Sequence, residues 1–137
     1  MGKITEKQAV ELCAAALKAR ERSYAPYSGF RVGAALLASD GQVFIGCNIE
    51  NGAYSPSMCA ERVAFAKAVS EGCREFSAIA VAGGAGEAPD DYCPPCGVCR
   101  QVMTEFCRPD FLIILAKSPS DCRTYTLEEI MPLAFKL

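Results

Sequence analysis

At 137 residues the chain is long enough to bury a core of its own and is read as one domain spanning 1–137. Sixteen acidic against 14 basic residues, a net charge of −2 and no run of Lys or Arg exclude the phosphate-neutralising stripe of a nucleic-acid binder and favour a small substrate. Nine cysteines and no histidine remove the commonest general base and the commonest metal ligand together, so acid–base work falls to carboxylates and any zinc to sulfur.

The amino-terminal stretch, Met1-Gly2-Lys3-Ile4-Thr5-Glu6, lacks the apolar core of an export signal, and no segment approaches the roughly 18 apolar residues of a membrane span. With an odd cysteine count, this predicts reduced thiols in the cytoplasm rather than a disulfide framework. Residues 5–22 follow as an amphipathic helix, opened by a capping box of Thr5 and Gln8, with Val10, Cys13 and Leu17 on the face that covers a sheet. Residues 24–30 break it, and the apolar run 32–37 is a buried strand that an Asp40-Gly41 turn joins to a second strand, 43–47, as a hairpin. After a polar loop, a helix runs from about Cys59 to Ser70 and ends at Gly72 in a left-handed cap. A strand at 78–82 leads into a flexible acidic loop over 83–91, read as a plain connector because its glycines form no phosphate cradle. Pro94 and Pro95 stiffen the start of a third helix that reaches about Phe106, and strands at 111–115 and 122–125 follow. Thr126 and Glu129 form a second capping box before a brief helix. The pattern is α/β, helices layered on a mixed sheet.

Chemistry concentrates between Cys59 and Cys99, where Cys59-Ala60-Glu61-Arg62 is answered 37 residues later by Pro95-Cys96-Gly97-Val98-Cys99-Arg100. Cys96 and Cys99, three apart at the opening of a helix, share a face and can grip one ion, with Cys59 as the third sulfur. Zinc on three protein ligands keeps its fourth tetrahedral position for water, whereas a structural site closes all four. Glu61 lies two residues from Cys59, a spacing that mid-helix sends side chains to nearly opposite sides. Cys59 is therefore placed at the helix start, outside helical backbone, so that Glu61 on the first turn can reach a metal-bound water. Taken alone, Glu61 reads as a first-turn carboxylate favoured by the helix dipole, and only its place beside Cys59 makes it a candidate base. Two helix amino termini aimed at the sulfurs offset the net charge of three thiolates on a dication, with Arg62 and Arg100 as candidates for further positive charge. Cys93-Pro94-Pro95-Cys96 offers a competing redox spacing. It lacks the strand such a pair usually follows, and two prolines hold Cys93 off the helix, so Cys93 is left outside the site. Cys13, Cys47, Cys73, Cys107 and Cys122 read as core or surface thiols.

Together these residues resemble the cytidine deaminases of nucleoside salvage. A Cys-or-His, x, Glu element followed by Pro-Cys-x-x-Cys marks the zinc deaminases at large. Tyr24-Ala25-Pro26-Tyr27-Ser28-Gly29-Phe30, Gly46-Cys47-Asn48-Ile49-Glu50-Asn51 and Met131-Pro132-Leu133-Ala134-Phe135 are similar to the short, all-cysteine class that acts on free nucleosides. That resemblance implies a three-layer α/β/α fold with a mixed five-stranded sheet, a homotetramer, and one Zn2+ per chain on Cys59, Cys96 and Cys99. It further implies that Asn48 and Glu50 hydrogen-bond the ribose hydroxyls, Phe30 stacks near the pyrimidine, the backbone at Ala60 reads its edge and Arg62 bonds the zinc thiolates. Phe135, and with it Tyr54, would complete a neighbouring subunit's pocket. Read from the residues alone, Phe30 and Phe135 are also candidates for core aromatics. A carboxylate at Glu50 binds a diol but repels a phosphate, which favours nucleosides over nucleotides.

The implied reaction is hydrolytic deamination of cytidine, and of 2′-deoxycytidine, to the uracil nucleoside and ammonia. Zinc lowers the pKa of its water from about 15.7 toward about 7, and Glu61 carries protons from that water to ring N3 and then to the departing amine. Two alternatives stay open. A deaminase of another small cytosine compound, such as blasticidin S, shares the zinc signature, and Glu50 argues against it. A zinc-stabilised interaction module is opposed by the missing fourth ligand, and editing of nucleic acid by the charge balance.

Overall fold

The computed structural model describes residues 4–137; Met1, Gly2 and Lys3, part of the stretch read for an export signal, lie outside the described residues. Thr5 caps the first helix, α1 (Glu6–Ala19), by accepting from the Gln8 amide while the Gln8 side chain accepts from the Thr5 amide. A 3-10 turn, Arg20–Arg22, carries the helical path to the predicted end. Its buried stripe is Leu12, Cys13, Ala16 and Ala19. Val10, expected on that stripe, is 41% exposed, because it sits about a third of a turn around the helix from the stripe's centre.

Five strands form one sheet: β1 (Arg31–Ala38), β2 (Val43–Cys47), β3 (Phe76–Gly84), β4 (Leu112–Ser118) and β5 (Asp121–Thr126). Their order is β2-β1-β3-β4-β5, with β3 and β4 parallel and the other neighbours antiparallel. Gly41, at a φ of +96°, makes the turn from β1 to β2, a conformation open to glycine at little cost. Period-two alternation sorts the strand residues. Ala34, Leu36, Ile79, Val81, Ile113 and Leu115 meet the helices α2 (Ala60–Ser70) and α3 (Gly97–Phe106) on one face. Ala35, Leu37, Ala78, Ala80, Ile114 and Ala116 meet α1 on the other. The result is the expected three layers with a mixed five-stranded sheet in the middle.

Phe65 of α2 anchors the larger core, edge-on to Phe76 at 5.2 Å and stacked on Phe106 at 6.2 Å. Truncating such a side chain to Ala costs about 3–5 kcal/mol. One close approach fixes where α2 lies. A Cβ on Gly46 of β2 would sit 2.3 Å from the Ala60 carbonyl and 2.7 Å from the Ala64 amide, so only glycine lets the helix start rest on that strand. Thr126 and Glu129 form the second capping box, at the start of α4 (Leu127–Ile130). Among the described residues no helix is long and apolar enough to cross a membrane.

Candidate active site

Cys59 occupies the N-cap of α2 in extended backbone, φ −74° and ψ 153°, and Cys96 occupies the N-cap of α3 at φ −69° and ψ 168°. Cys99 lies on the first turn of α3, buried, so all three sulfurs gather where two helices begin. The Cys59 and Cys96 sulfurs are 3.7 Å apart, and those of Cys96 and Cys99 3.6 Å. Two ligands on a tetrahedral zinc with bonds of about 2.3 Å stand about 3.8 Å apart, close to both of these distances, and all three sulfurs lie within 4.8 Å of one another. Both helix amino termini turn partial positive charge toward it.

The thiols by themselves are already unequal. Hydrogen bonding from the Cys99 thiol and from Arg62 draws the Cys59 thiol down to about 5, against burial, while the same bond and burial push Cys99 well up. Charge therefore settles first on Cys59, where the Arg62 guanidinium donates at 3.7 Å. Arg62 also donates to the Ser57 carbonyl at 3.3 Å. Arg100, a second candidate for positive charge at the cluster, does something else. It donates to the carbonyls of Pro95 at 2.8 Å and Ile130 at 2.7 Å, bracing the start of α3 against α4 instead of facing the thiolates.

Beside the sulfurs, a cleft of about 430 Å³ is lined by Asn48, Glu50, Tyr54, Ala60, Glu61 and Cys93 as well as Cys59 and Cys96. Glu61 is the buried carboxyl among the described residues, 4% exposed. Burial pushes it up to about 7; the Cys59 thiolate adds to the rise, while its own amide and Arg62 oppose it. A carboxyl poised there exchanges protons near neutral pH. Cys93, set aside from the sequence, lines the same cleft, and its sulfur lies where a Gly83 Cβ would approach within 2.8 Å. Burial and the nearby Glu61 carboxylate hold its thiol up at about 11, and it is not among the three gathered sulfurs.

Away from the sulfurs the cleft is lined by Asn48 and Glu50, and a strap formed by residues 24–30 is hydrogen-bonded to both. Glu50 accepts from the amides of Tyr27 at 2.9 Å and Ser28 at 3.2 Å, and from the Ser28 hydroxyl. These bonds, the hydroxyl's first, hold its carboxyl below the usual range. Asn48 accepts from the Val32 amide at 2.9 Å and donates to the Phe30 carbonyl at 2.8 Å. Phe30, 42% exposed, is attached to this strap and is no core aromatic. Tyr54 lines the cleft of its own chain, at a φ of +63° and 79% exposed. Phe135 is not brought to the cleft within one chain; it is 68% exposed, with its carbonyl accepting from Gln101 at 2.9 Å.

Sequence reasoning missed Arg20. Its buried guanidinium donates to the carbonyls of Arg31, Gly84, Gly86 and Glu87, at 2.8 to 3.1 Å. The acidic loop expected to be a flexible connector is thus clamped at its start, and an arginine at the end of an amphipathic helix carries no signal of that burial.

An open three-sulfur metal position beside a buried carboxyl, at the meeting of two helix starts, is the arrangement of a hydrolytic zinc enzyme. The pattern described as cytidine and deoxycytidylate deaminase zinc-binding region matches residues 6–115. The chain belongs to that deaminase family. It is 50% identical over 125 residues to a cytidine deaminase of Sporosarcina psychrophila, covering 91% of this chain and 89% of that one. The crystal structure of a cytidine deaminase from Burkholderia pseudomallei superposes with a TM-score of 0.83 at 44% identity, covering 96% of this chain and 100% of the other. A blasticidin-S deaminase of Bacillus cereus is more distant, 31% identical over 108 residues and 76% of each chain.

Proposed function

We propose that the chain, acting as one domain, hydrolyses cytidine and 2′-deoxycytidine to the uracil nucleosides and ammonia in pyrimidine salvage. One observation carries the reading: three sulfurs at zinc spacing share a cleft with the buried carboxyl Glu61. Cys59, Cys96 and Cys99 hold the metal. Zinc held there would acidify a water from about 15.7 toward about 7. Glu61 would accept a proton from the water and pass it to ring N3, then take a second proton from the hydroxyl gained at C4 and deliver it to the departing amine. Its raised proton affinity suits both directions of transfer. Arg62 steadies charge on Cys59 through its hydrogen bond.

Substrate contacts follow from the cleft. Ala60 stands in the first turn of α2, where amides lack an intrahelical acceptor, and reads the edge of the pyrimidine. Phe30 stacks near the ring, and Glu50 with Asn48 takes the sugar. Glu50 disfavours phosphate by charge, which separates nucleosides from nucleotides. Exposed Tyr54, Leu133, Phe135 and Leu137 are apolar surface that a homotetramer would cover, with Phe135 completing a neighbouring pocket. A cytoplasmic location accords with free thiols throughout.

Loss of ultraviolet absorbance on adding the protein to cytidine, run beside metal analysis of the same sample, tests the reading. Turnover with about one zinc per chain is expected. Zinc without turnover of cytidine sinks the assignment in favour of another small cytosine compound, and neither zinc nor turnover in reduced protein removes it altogether.

A further inference from the structure

Residues 25–30 make a small anion-binding concavity whose anion is the protein's own. Gly29, at a φ of +69°, closes the turn with its amide on the Ala25 carbonyl at 3.0 Å. That turn aims the successive amides of Tyr27 and Ser28 at one oxygen of Glu50, Oε1. The Ser28 hydroxyl accepts from the Phe30 amide at 3.0 Å, which leaves its proton for the other oxygen, Oε2. A carboxylate offers about four acceptor positions, two on each oxygen. Oε1 is filled by the two amides. Among the described residues Oε2 receives only Ser28, so one position stays open, on the oxygen that the serine hydroxyl orients.

Asn48 shows the complementary remainder. Its Oδ1 takes the Val32 amide and one Nδ2 hydrogen goes to the Phe30 carbonyl, leaving a second hydrogen to donate. A single sugar hydroxyl can thus give its proton to Glu50 Oε2 and receive one from Asn48. Resting on the nucleoside reading above, we infer that Ser28 is the positioning residue for sugar recognition: it holds Glu50 Oε2 at the one angle that meets a ligand hydroxyl. The Tyr27 and Ser28 amides anchor Oε1, about which the carboxylate can still pivot, and the Ser28 hydroxyl is the contact made to Oε2 itself.

The prediction separates Ser28 from a residue that merely shapes the loop. Zinc-loaded enzyme is assayed on cytidine and on 2′,3′-dideoxycytidine, which lacks the 2′ and 3′ hydroxyls and keeps the 5′. Ser28→Ala should lower kcat/KM for cytidine by roughly tenfold, mostly through KM, and leave dideoxycytidine within about threefold. Ser28→Thr, which keeps the hydroxyl, should restore the preference for cytidine. Glu50→Ala should lose the same preference, and the Ser28→Ala/Glu50→Ala pair should do no further harm, since one residue works through the other. If Glu50→Ala removes the preference while Ser28→Ala keeps it, the positioning role is wrong and the sugar contact stands. Equal losses on both substrates in Ser28→Ala, unrestored by Thr, also overturn it, as collapse of the strap. If the unaltered enzyme shows no preference between the two nucleosides, the sugar reading itself fails, whatever Ser28 does.

Discussion

On the sulfur side of the cleft each reactive side chain leaves the start of a helix, whereas on the opposite side the polar groups hang on a strap and on the segment after β2. Cys59, Glu61, Cys96 and Cys99 owe their places to two helices packed on a buried sheet. Glu50 owes its place to two strap amides and the Ser28 hydroxyl, and Asn48 to the backbone of Val32 and Phe30, bonds that lie mostly at the surface. The difference has a physical reason. A metal and a proton carrier need positions fixed to a fraction of an ångström and shielded from water, which core packing supplies. A sugar hydroxyl needs only the right donors and acceptors facing it, and a loop can present these while still admitting ligand.

The sharpest test of that division is Glu61→Gln, which keeps the shape of the buried wall and removes only proton transfer. Turnover of cytidine should fall by roughly 10²–10⁴-fold with zinc content and KM little changed. An active variant, measured by absorbance loss beside metal analysis, would take Glu61 out of the reaction. Next in size is Gly46→Ala, at the place where the two walls touch. Gly46 lies two residues before Asn48 and directly under Ala60 and Ala64 of α2. A methyl group there must lift the helix start off the strand, at about 1–3 kcal/mol. Unlike the changes confined to one wall, it should lower Tm, raise KM and speed zinc transfer to a chromogenic chelator together. Movement of only one of these would show that the walls are mechanically independent.

Much of the buried wall was legible in the sequence because its signals are local. The spacing of Cys96 and Cys99, the two-residue offset of Glu61 from Cys59 and the requirement that Cys59 stand outside helical backbone are all statements about one turn of helix. Both capping boxes and the Asp40-Gly41 turn are local in the same sense. What stayed hidden depends on residues far apart in the chain. Cys93 meets the cleft because the path from β3 to α3 folds it against Gly83. Arg100 reaches Ile130, 30 residues on, and no rule of spacing separates that from a reach toward the thiolates. Ser28 and Glu50 are 22 residues apart, so their bond was invisible although both lie in stretches the sequence had marked.

Arg20 is the long-range contact with the smallest expected effect on catalysis, and it tests how far bracing travels along the sulfur side. Its guanidinium holds the carbonyls of Gly84, Gly86 and Glu87 at the start of the loop that leads to Cys93 and Cys96. The far end of the loop has its own anchor. Tyr92 donates to Asp121 at 2.6 Å, and the Arg123 guanidinium lies 4.5 Å from its ring centre. With two anchors, removing the first should loosen only what lies between them. Arg20→Met leaves carbonyls short of a donor and should cost about 1–3 kcal/mol in stability. Limited proteolysis should then cut within residues 84–91, while KM for cytidine and the rate of zinc transfer to a chelator stay close to those of the unaltered enzyme. Zinc released as fast as from Gly46→Ala would mean that the clamp acts through Tyr92 on Cys96, and that this loop belongs to the metal site.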